Sequence, residues 1–167
     1  MPKYIKQEFS DIEIGYLTGI VDGEGSLTIS QCGFTKNNFP QWQVIFGVTN
    51  TEPDLIDWFV KKFGSKRLTY TRKQTPNNSR KTIYRWQCTG ERLRHLCQLI
   101  LPHTVIKKRQ VEIMIEMLDS FKKRYYVKGN RGPQIDQETI DLRYRLKAEL
   151  HSLHNRTHKP KTSLGLP

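Results

Sequence analysis

Tyr16-Leu17-Thr18-Gly19-Ile20-Val21-Asp22-Gly23-Glu24-Gly25-Ser26 organises the rest of the chain. Ser10 or Asp11 is placed to cap a helix that the spacing predicts over about 12–22. Gly15 and Gly19 stand four apart and share a helix face, and Asp22 and Gly23 extend that stripe. A glycine in a helix interior costs about 1 kcal/mol relative to alanine, so two of them need a packing reason. The plain reason is a second helix approaching backbone to backbone, from elsewhere in the chain or from another subunit. The helix ends at Glu24, set between Gly23 and Gly25, and polar strand sequence follows at once. Carbonyl oxygens at a helix C-terminus carry partial negative charge, and the Glu24 carboxylate adds to it. A hard cation such as Mg²⁺ or Ca²⁺ would relieve both.

Other readings of the segment fare less well. A phosphate-binding turn follows a strand and opens a helix, and here the order is reversed. The third glycine of a dinucleotide fingerprint would fall at Thr28, and an EF-hand loop would need glycine where Leu27 stands. A plain helix C-cap with an exposed Glu24 stays open.

The 167 residues, 36% of them hydrophobic, suffice for one domain with an adequate core. We assign 1–158 to that domain and 159–167 to a flexible tail. No apolar run is long enough to span a membrane, and no secretory signal follows Met1. Cys32, Cys88 and Cys97 have no metal-site spacing and an odd count, so buried thiols in a reducing, intracellular compartment are expected. The net charge of +12 is unevenly spread: residues 1–60 hold three basic and eight acidic side chains, residues 61–167 hold 25 and eight. Between Trp58 and Gly90 there are nine lysines or arginines and no acid. A one-signed stretch repels itself unless a polyanion faces it, which points to nucleic acid.

Secondary structure follows from periodicity. Ser26 to Gln31 reads as a strand with Leu27 and Ile29 on one side, Thr28 and Ser30 on the other. Asn37-Asn38 marks a turn. Gln41 to Thr49 alternates, with Trp42, Val44, Phe46 and Val48 inward and Gln41, Gln43, Ile45 and Gly47 outward. Thr51 is expected to cap a helix with Pro53 in its first turn, an apolar face of Leu55, Ile56, Phe59 and Phe63, and Gly64 as its stop. Arg67 to Lys73 and Arg80 to Thr89 form a second hairpin around Gln74–Ser79. In it Leu68 and Tyr70 are expected to face the core and Arg67, Thr69 and Thr71 to face out. Tyr84, Trp86 and Cys88 alternate with Arg85 and Gln87 on the partner strand. Helices follow over 91–101, about 107–123 and about 137–155, with Lys128–Pro133 a connector. The order is αββαββα plus a C-terminal helix: an α+β fold, an antiparallel sheet with helices on one face.

The other sheet face displays amides, hydroxyls and guanidinium groups suited to reading base edges in the major groove. Its candidate DNA-binding residues are Thr28, Ser30, Gln41, Gln43, Arg67, Thr69, Thr71, Lys73, Arg80, Lys81, Arg85 and Gln87. A strand of about ten residues spans ~33 Å, the length of about ten base pairs.

Leu17 to Gly25 resembles the LAGLIDADG motif of homing endonucleases, with Leu17, Gly19, Asp22 and Gly25 identical and Ile20, Val21, Gly23 and Glu24 conservative replacements. Thr18 departs from it, being larger than the usual alanine. The motif occurs once, which in that family implies a homodimer whose interface would hold Gly15, Thr18, Gly19 and Asp22. The resemblance further implies site-specific hydrolysis of both strands of a long pseudo-palindromic DNA target. Glu24 would ligate Mg²⁺ with the Gly23 carbonyl beside it; Mn²⁺ is expected to substitute and Ca²⁺ to bind without supporting cleavage. Pro102-His103-Thr104-Val105-Ile106-Lys107-Lys108-Arg109-Gln110 is similar to the segment that supplies the family's active-site lysine, which falls at Lys107. Val48-Thr49-Asn50 is similar to the strand end that carries a water-holding amide, which falls at Asn50. A basic residue that some relatives place further on is Asp54 here. Intron homing in an organelle or a prokaryotic cytoplasm would fit.

Two other functions use the same sequence. A maturase would bind structured intron RNA to assist splicing, and a regulator would use the hairpins as a β-reader with the first helix as plain dimer interface. His151, His154 and His158 suggest zinc, or with Asn155 an HNH nuclease. The spacing is too tight for the latter, and no paired cysteines support the former.

Overall fold

The computed structural model describes residues 7–64, 68–71, 82–123, 125–126 and 134–155. Helix α1 (Asp11–Glu24) opens on a capping box: the Ser10 hydroxyl accepts from the Glu13 N–H at 3.3 Å, and the Glu13 carboxylate accepts from the Ser10 N–H at 3.1 Å. It closes at Gly25, whose N–H donates to the carbonyls of Ile20 and Val21. Strand β1 (Ser26–Phe34) begins on the next residue. Only glycine fits this junction. A Cβ on Gly25 would stand 2.7 Å from both the Phe46 ring and the Val21 carbonyl oxygen. Gly25→Ala should therefore cost roughly 1–3 kcal/mol of stability, seen as a lower urea midpoint; an unchanged midpoint would contradict this packing.

β1 pairs with β2 (Pro40–Asn50), β2 with β4 (Thr82–Cys88) and β4 with β3 (Leu68–Thr71), all antiparallel, giving the order β1-β2-β4-β3. Leu27, Ile29, Val44, Phe46, Val48, Trp86 and Cys88 are buried along one face. Helices α2 (Pro53–Phe63), α3 (Gly90–Ile100), α4 (Lys108–Ser120) and α5 (Gln137–Asn155) supply the other side of that core. Trp86 stacks on Phe59 at 4.8 Å and donates from Nε1 to the carbonyl of Gly64 at 2.8 Å. Gly64, with φ +71°, ends α2 in a conformation that favours glycine.

α5 is tied firmly to the helix layer. Arg109 of α4 forks onto the Glu149 carboxylate at 2.7 and 3.0 Å and reaches Glu116 at 2.7 Å. Buried Arg143 donates to the hydroxyl and carbonyl of Ser120 at 3.0 and 2.8 Å, with its guanidinium 4.9 Å over the Phe121 ring.

Several expectations are corrected. Glu52, not Thr51, is the N-cap of α2, and it makes no side-chain cap bond; the Asn50 side chain instead accepts from the Glu52 N–H at 2.9 Å. The register of β3 is opposite to the expected one. Leu68 lies across from Arg85, so it falls on the open side of the sheet and is 43% exposed, while Thr69, also exposed, lies across from Tyr84 on the opposite side. Thr71 pairs with Thr82 along the backbone. Of the cysteines, Cys88 and Cys97 are buried but Cys32 is exposed. Burial pushes the Cys97 thiol up to about 12 and the Cys88 thiol well above its ordinary value. A thiol reagent should thus titrate one group in the folded protein and three after denaturation; two or more fast-reacting thiols in the native state would be inconsistent with these positions. No helix among the described residues is long and apolar enough to cross a membrane.

Candidate active site

The site forms where the C-terminus of α1 meets the start of α4 and the end of β2. Glu24, the last residue of α1, is exposed, and its Oε2 accepts from Asn50 Nδ2 at 2.8 Å. The Asn50 amide is oriented from its other end, because its Oδ1 is held by the Glu52 N–H. The Lys107 ammonium donates to the carbonyls of Val21 at 2.8 Å and Gly25 at 2.7 Å, on either side of Glu24 in sequence. Glu24, Asn50 and Lys107, distant in sequence, therefore surround one helix end. Two of the three ammonium protons of Lys107 are used in this way.

The two helices exchange charge. α4 starts at Lys107-Lys108-Arg109 with no acid in its first turn and no side-chain cap. Three cations at the positive end of a helix are unfavourable without an anion. Asp22 of α1 supplies it. Its carboxylate accepts from the Thr104 hydroxyl at 2.5 Å and from the backbone N–H groups of Val105 at 2.9 Å, Ile106 at 3.3 Å and Lys107 at 3.1 Å. Burial pushes the Asp22 carboxyl up, but these hydrogen bonds outweigh it and hold the group below its ordinary value. In return the lysine covers the negative end of α1. Burial lowers the Lys107 ammonium from its ordinary value, opposed by the Asp22 charge.

Two of the four interface candidates are engaged within the protomer. Asp22 is occupied by the 104–107 segment, and Thr18 is buried with its hydroxyl donating to the Ile14 carbonyl at 2.7 Å. The open face of α1 is instead Gly15, Gly19 and Gly23, where an added Cβ would meet nothing within 4 Å. A groove of about 400 Å³ follows these glycines to Glu24, bordered by Tyr16 and Leu55. Ile12 and Tyr16 beside it are 84% and 51% exposed. Thr104, Val105 and Ile106 were not singled out from sequence. The uncapped, triply basic start of α4 was the available signal that an outside acid must reach it.

On the open sheet face, register aligns Thr28 with Ile45, Ser30 with Gln43, Gly47 with Gln87, and Thr49 with Arg85. Gln41 is exposed, across from Gly33 beyond an irregularity in β1. Thr28, Ser30, Gln43, Arg85 and Gln87 thus share a surface, and Thr69 does not. Arg67, Lys73, Arg80 and Lys81, and the side chain of Thr71, lie outside the described residues.

The donors that could hold a divalent ion are the Glu24 carboxylate and the Gly23 carbonyl. They are hard oxygens, suited to Mg²⁺, Mn²⁺ or Ca²⁺. No cluster of three or more His, Cys, Asp or Glu exists among the described residues, so one protomer offers part of a coordination shell and not a cage. His158, the third histidine of the zinc reading, lies outside the described residues.

A polar antiparallel saddle backed by helices, with one carboxylate at the end of the first helix, is the LAGLIDADG homing-endonuclease fold. It is shared with I-CvuI in complex with the I-CreI target (TM-score 0.62, 15% identity, 85% of this chain and 82% of that one). The archaeal intron-encoded homing endonuclease I-Vdi141I complexed with DNA also shares it (TM-score 0.60, 17% identity, 86% and 84%). So does the LAGLIDADG homing endonuclease I-SmaMI bound to cleaved DNA (TM-score 0.51, 18% identity), of which 51% is covered by 93% of this chain. No protein-family model and no curated protein matches the chain.

Proposed function

We propose that the protein is a site-specific, metal-dependent DNA endonuclease that cuts both strands of a long pseudo-palindromic target as a homodimer. One observation carries the reading: Glu24, Asn50 and Lys107 converge on the end of α1, beside a sheet face of hydroxyls, amides and arginine. The DNA complexes of I-CvuI, I-Vdi141I and I-SmaMI support it. The homodimer is supported by the glycine-lined open face of α1, where a second copy of the helix could approach.

Hydrolysis of a phosphodiester needs a water aimed at phosphorus and relief of charge on the leaving oxygen. A divalent ion at Glu24 and the Gly23 carbonyl, Mg²⁺ or Mn²⁺ for turnover and Ca²⁺ for binding alone, would supply Lewis acidity and an activated water there. Asn50 fixes the rotamer of Glu24 by donating to Oε2, and the carboxylate so held would be the ion's anionic ligand. Lys107 holds the helix end rigid and brings a positive charge toward the scissile phosphate. Thr28, Ser30, Gln41, Gln43, Arg85 and Gln87 would read base edges, each good bidentate pair contributing about 1–3 kcal/mol of discrimination.

The test is incubation with a duplex that joins the two sequences flanking the open reading frame's intron, with Mg²⁺, with Ca²⁺ and with chelator. Double-strand cutting in Mg²⁺ only, with binding in Ca²⁺, is expected. Binding confined to folded intron RNA, with no cut in any metal, would refute the reading in favour of a maturase.

A further inference from the structure

Beyond the three residues at the site stands a fourth, whose carboxylate is filled by donors from its own chain. We infer that Asp22 is a positioning residue for the cleavage step: by anchoring the segment 104–107 it sets the Lys107 ammonium against the end of α1. The inference rests on the nuclease reading above. Four donors converge on this one carboxylate, three of them consecutive backbone N–H groups that end at Lys107 itself. Backbone N–H groups grip an anion in a fixed direction, so the Cα of Lys107 is located relative to α1 and not merely near it. From that Cα the side chain spans back to two carbonyls at the end of α1, those of Val21 and the C-cap Gly25. The result is a closed loop of contacts, α1 to the 104–107 segment through Asp22, and Lys107 back to α1 through its ammonium. Glu24 lies inside that loop. The carboxylate of Asp22 has no open position left for a metal or a substrate, which separates its role from that of Glu24.

The measurable signature is non-additivity. Asp22→Asn keeps the size of the side chain but replaces one acceptor oxygen with a donor and removes the charge. Lys107→Met keeps the length and removes the ammonium. Each variant, and the double variant, would be assayed with Mg²⁺ under single-turnover conditions on a supercoiled plasmid carrying the joined flanking sequence. Binding to the same duplex would be measured in Ca²⁺. Asp22→Asn should slow cutting by about 10- to 100-fold, the range expected for loss of charge-assisted hydrogen bonds. Its dissociation constant for the duplex should stay within a few-fold of wild type. In the Lys107→Met background the same substitution should have little further effect on the rate, because the group it positions is gone.

A role confined to holding the fold together would lower the rate by the same factor in both backgrounds, and that result would overturn the inference. So would an Asp22→Asn enzyme that cuts at the wild-type rate. If Asp22→Asn does not fold, Thr104→Val decides: it removes the shortest of the four bonds and leaves the charge. It should slow cutting less than Asp22→Asn is expected to, with the same dependence on Lys107; additivity there would refute the role equally. Wild-type protein that binds the duplex and never cuts would instead overturn the nuclease reading itself.

Discussion

Glu24→Gln should bind the joined-flank duplex as tightly as the unaltered protein, or slightly more tightly, and cut it on the order of 1,000-fold more slowly. The substitution is chosen for what it preserves. A glutamine side-chain oxygen can still accept from Asn50 Nδ2, so the 2.8 Å contact that locates the side chain survives. The helix end keeps its Lys107 cover. What disappears is the negative charge available to a divalent ion, and with it repulsion toward the DNA phosphates. Gel shift in Ca²⁺ gives the affinity and single-turnover cutting in Mg²⁺ gives the rate. A Glu24→Gln enzyme that cut within about tenfold of wild type would mean that the carboxylate is an ordinary helix cap.

Gly19→Leu should separate the protomer's own stability from its assembly. Nothing lies within 4 Å of a Cβ built at Gly19, and leucine is favoured over glycine in a helix by somewhat less than 1 kcal/mol. The protomer's own fold should therefore tolerate the leucine, and any fall in melting point should be no larger than the stabilisation that subunit association gives wild type, a part that shrinks as wild type is diluted. Between two copies the same side chain would prop the helices apart, because small residues at four-residue spacing are what let backbones approach. Sedimentation should show a species near the 19.7 kDa chain mass in place of one twice as heavy. Double-strand cutting should be lost with it. A variant that stayed dimeric and active would refute the glycine seam; a wild-type protein that sediments as a monomer would refute the homodimer.

The sequence was most readable where burial and spacing agreed. Val44, Phe46 and Val48 recur at every second position and are buried on one face, as are Leu27 and Ile29 beside them. The first helix, expected over about 12–22, runs to Glu24, and Gly25 stops it because a strand must leave at once into packed space. Leu68 and Thr69 alternate just as cleanly, yet they face opposite to expectation. At a sheet edge Leu68 has no core to enter, so its apolar character did not decide the register. The helical wheel likewise fixes which residues of α1 are neighbours but not which side the rest of the chain occupies. Thr18 and Asp22 sit close in angle to the glycine stripe and nevertheless turn inward. Lys107 was reached only through family resemblance. Its partners are backbone carbonyls of Val21 and Gly25, and main-chain acceptors leave no trace in side-chain spacing.

The ammonium folded over the end of α1 has a consequence for how such a protein could be handled and regulated. Counter-charge for that terminus is built into the polypeptide, so reaching the native state does not wait on any inorganic ion. Chelator should leave the melting curve almost unmoved while silencing turnover. The apo form could then be assembled on its target in advance and fired in synchrony by adding Mg²⁺.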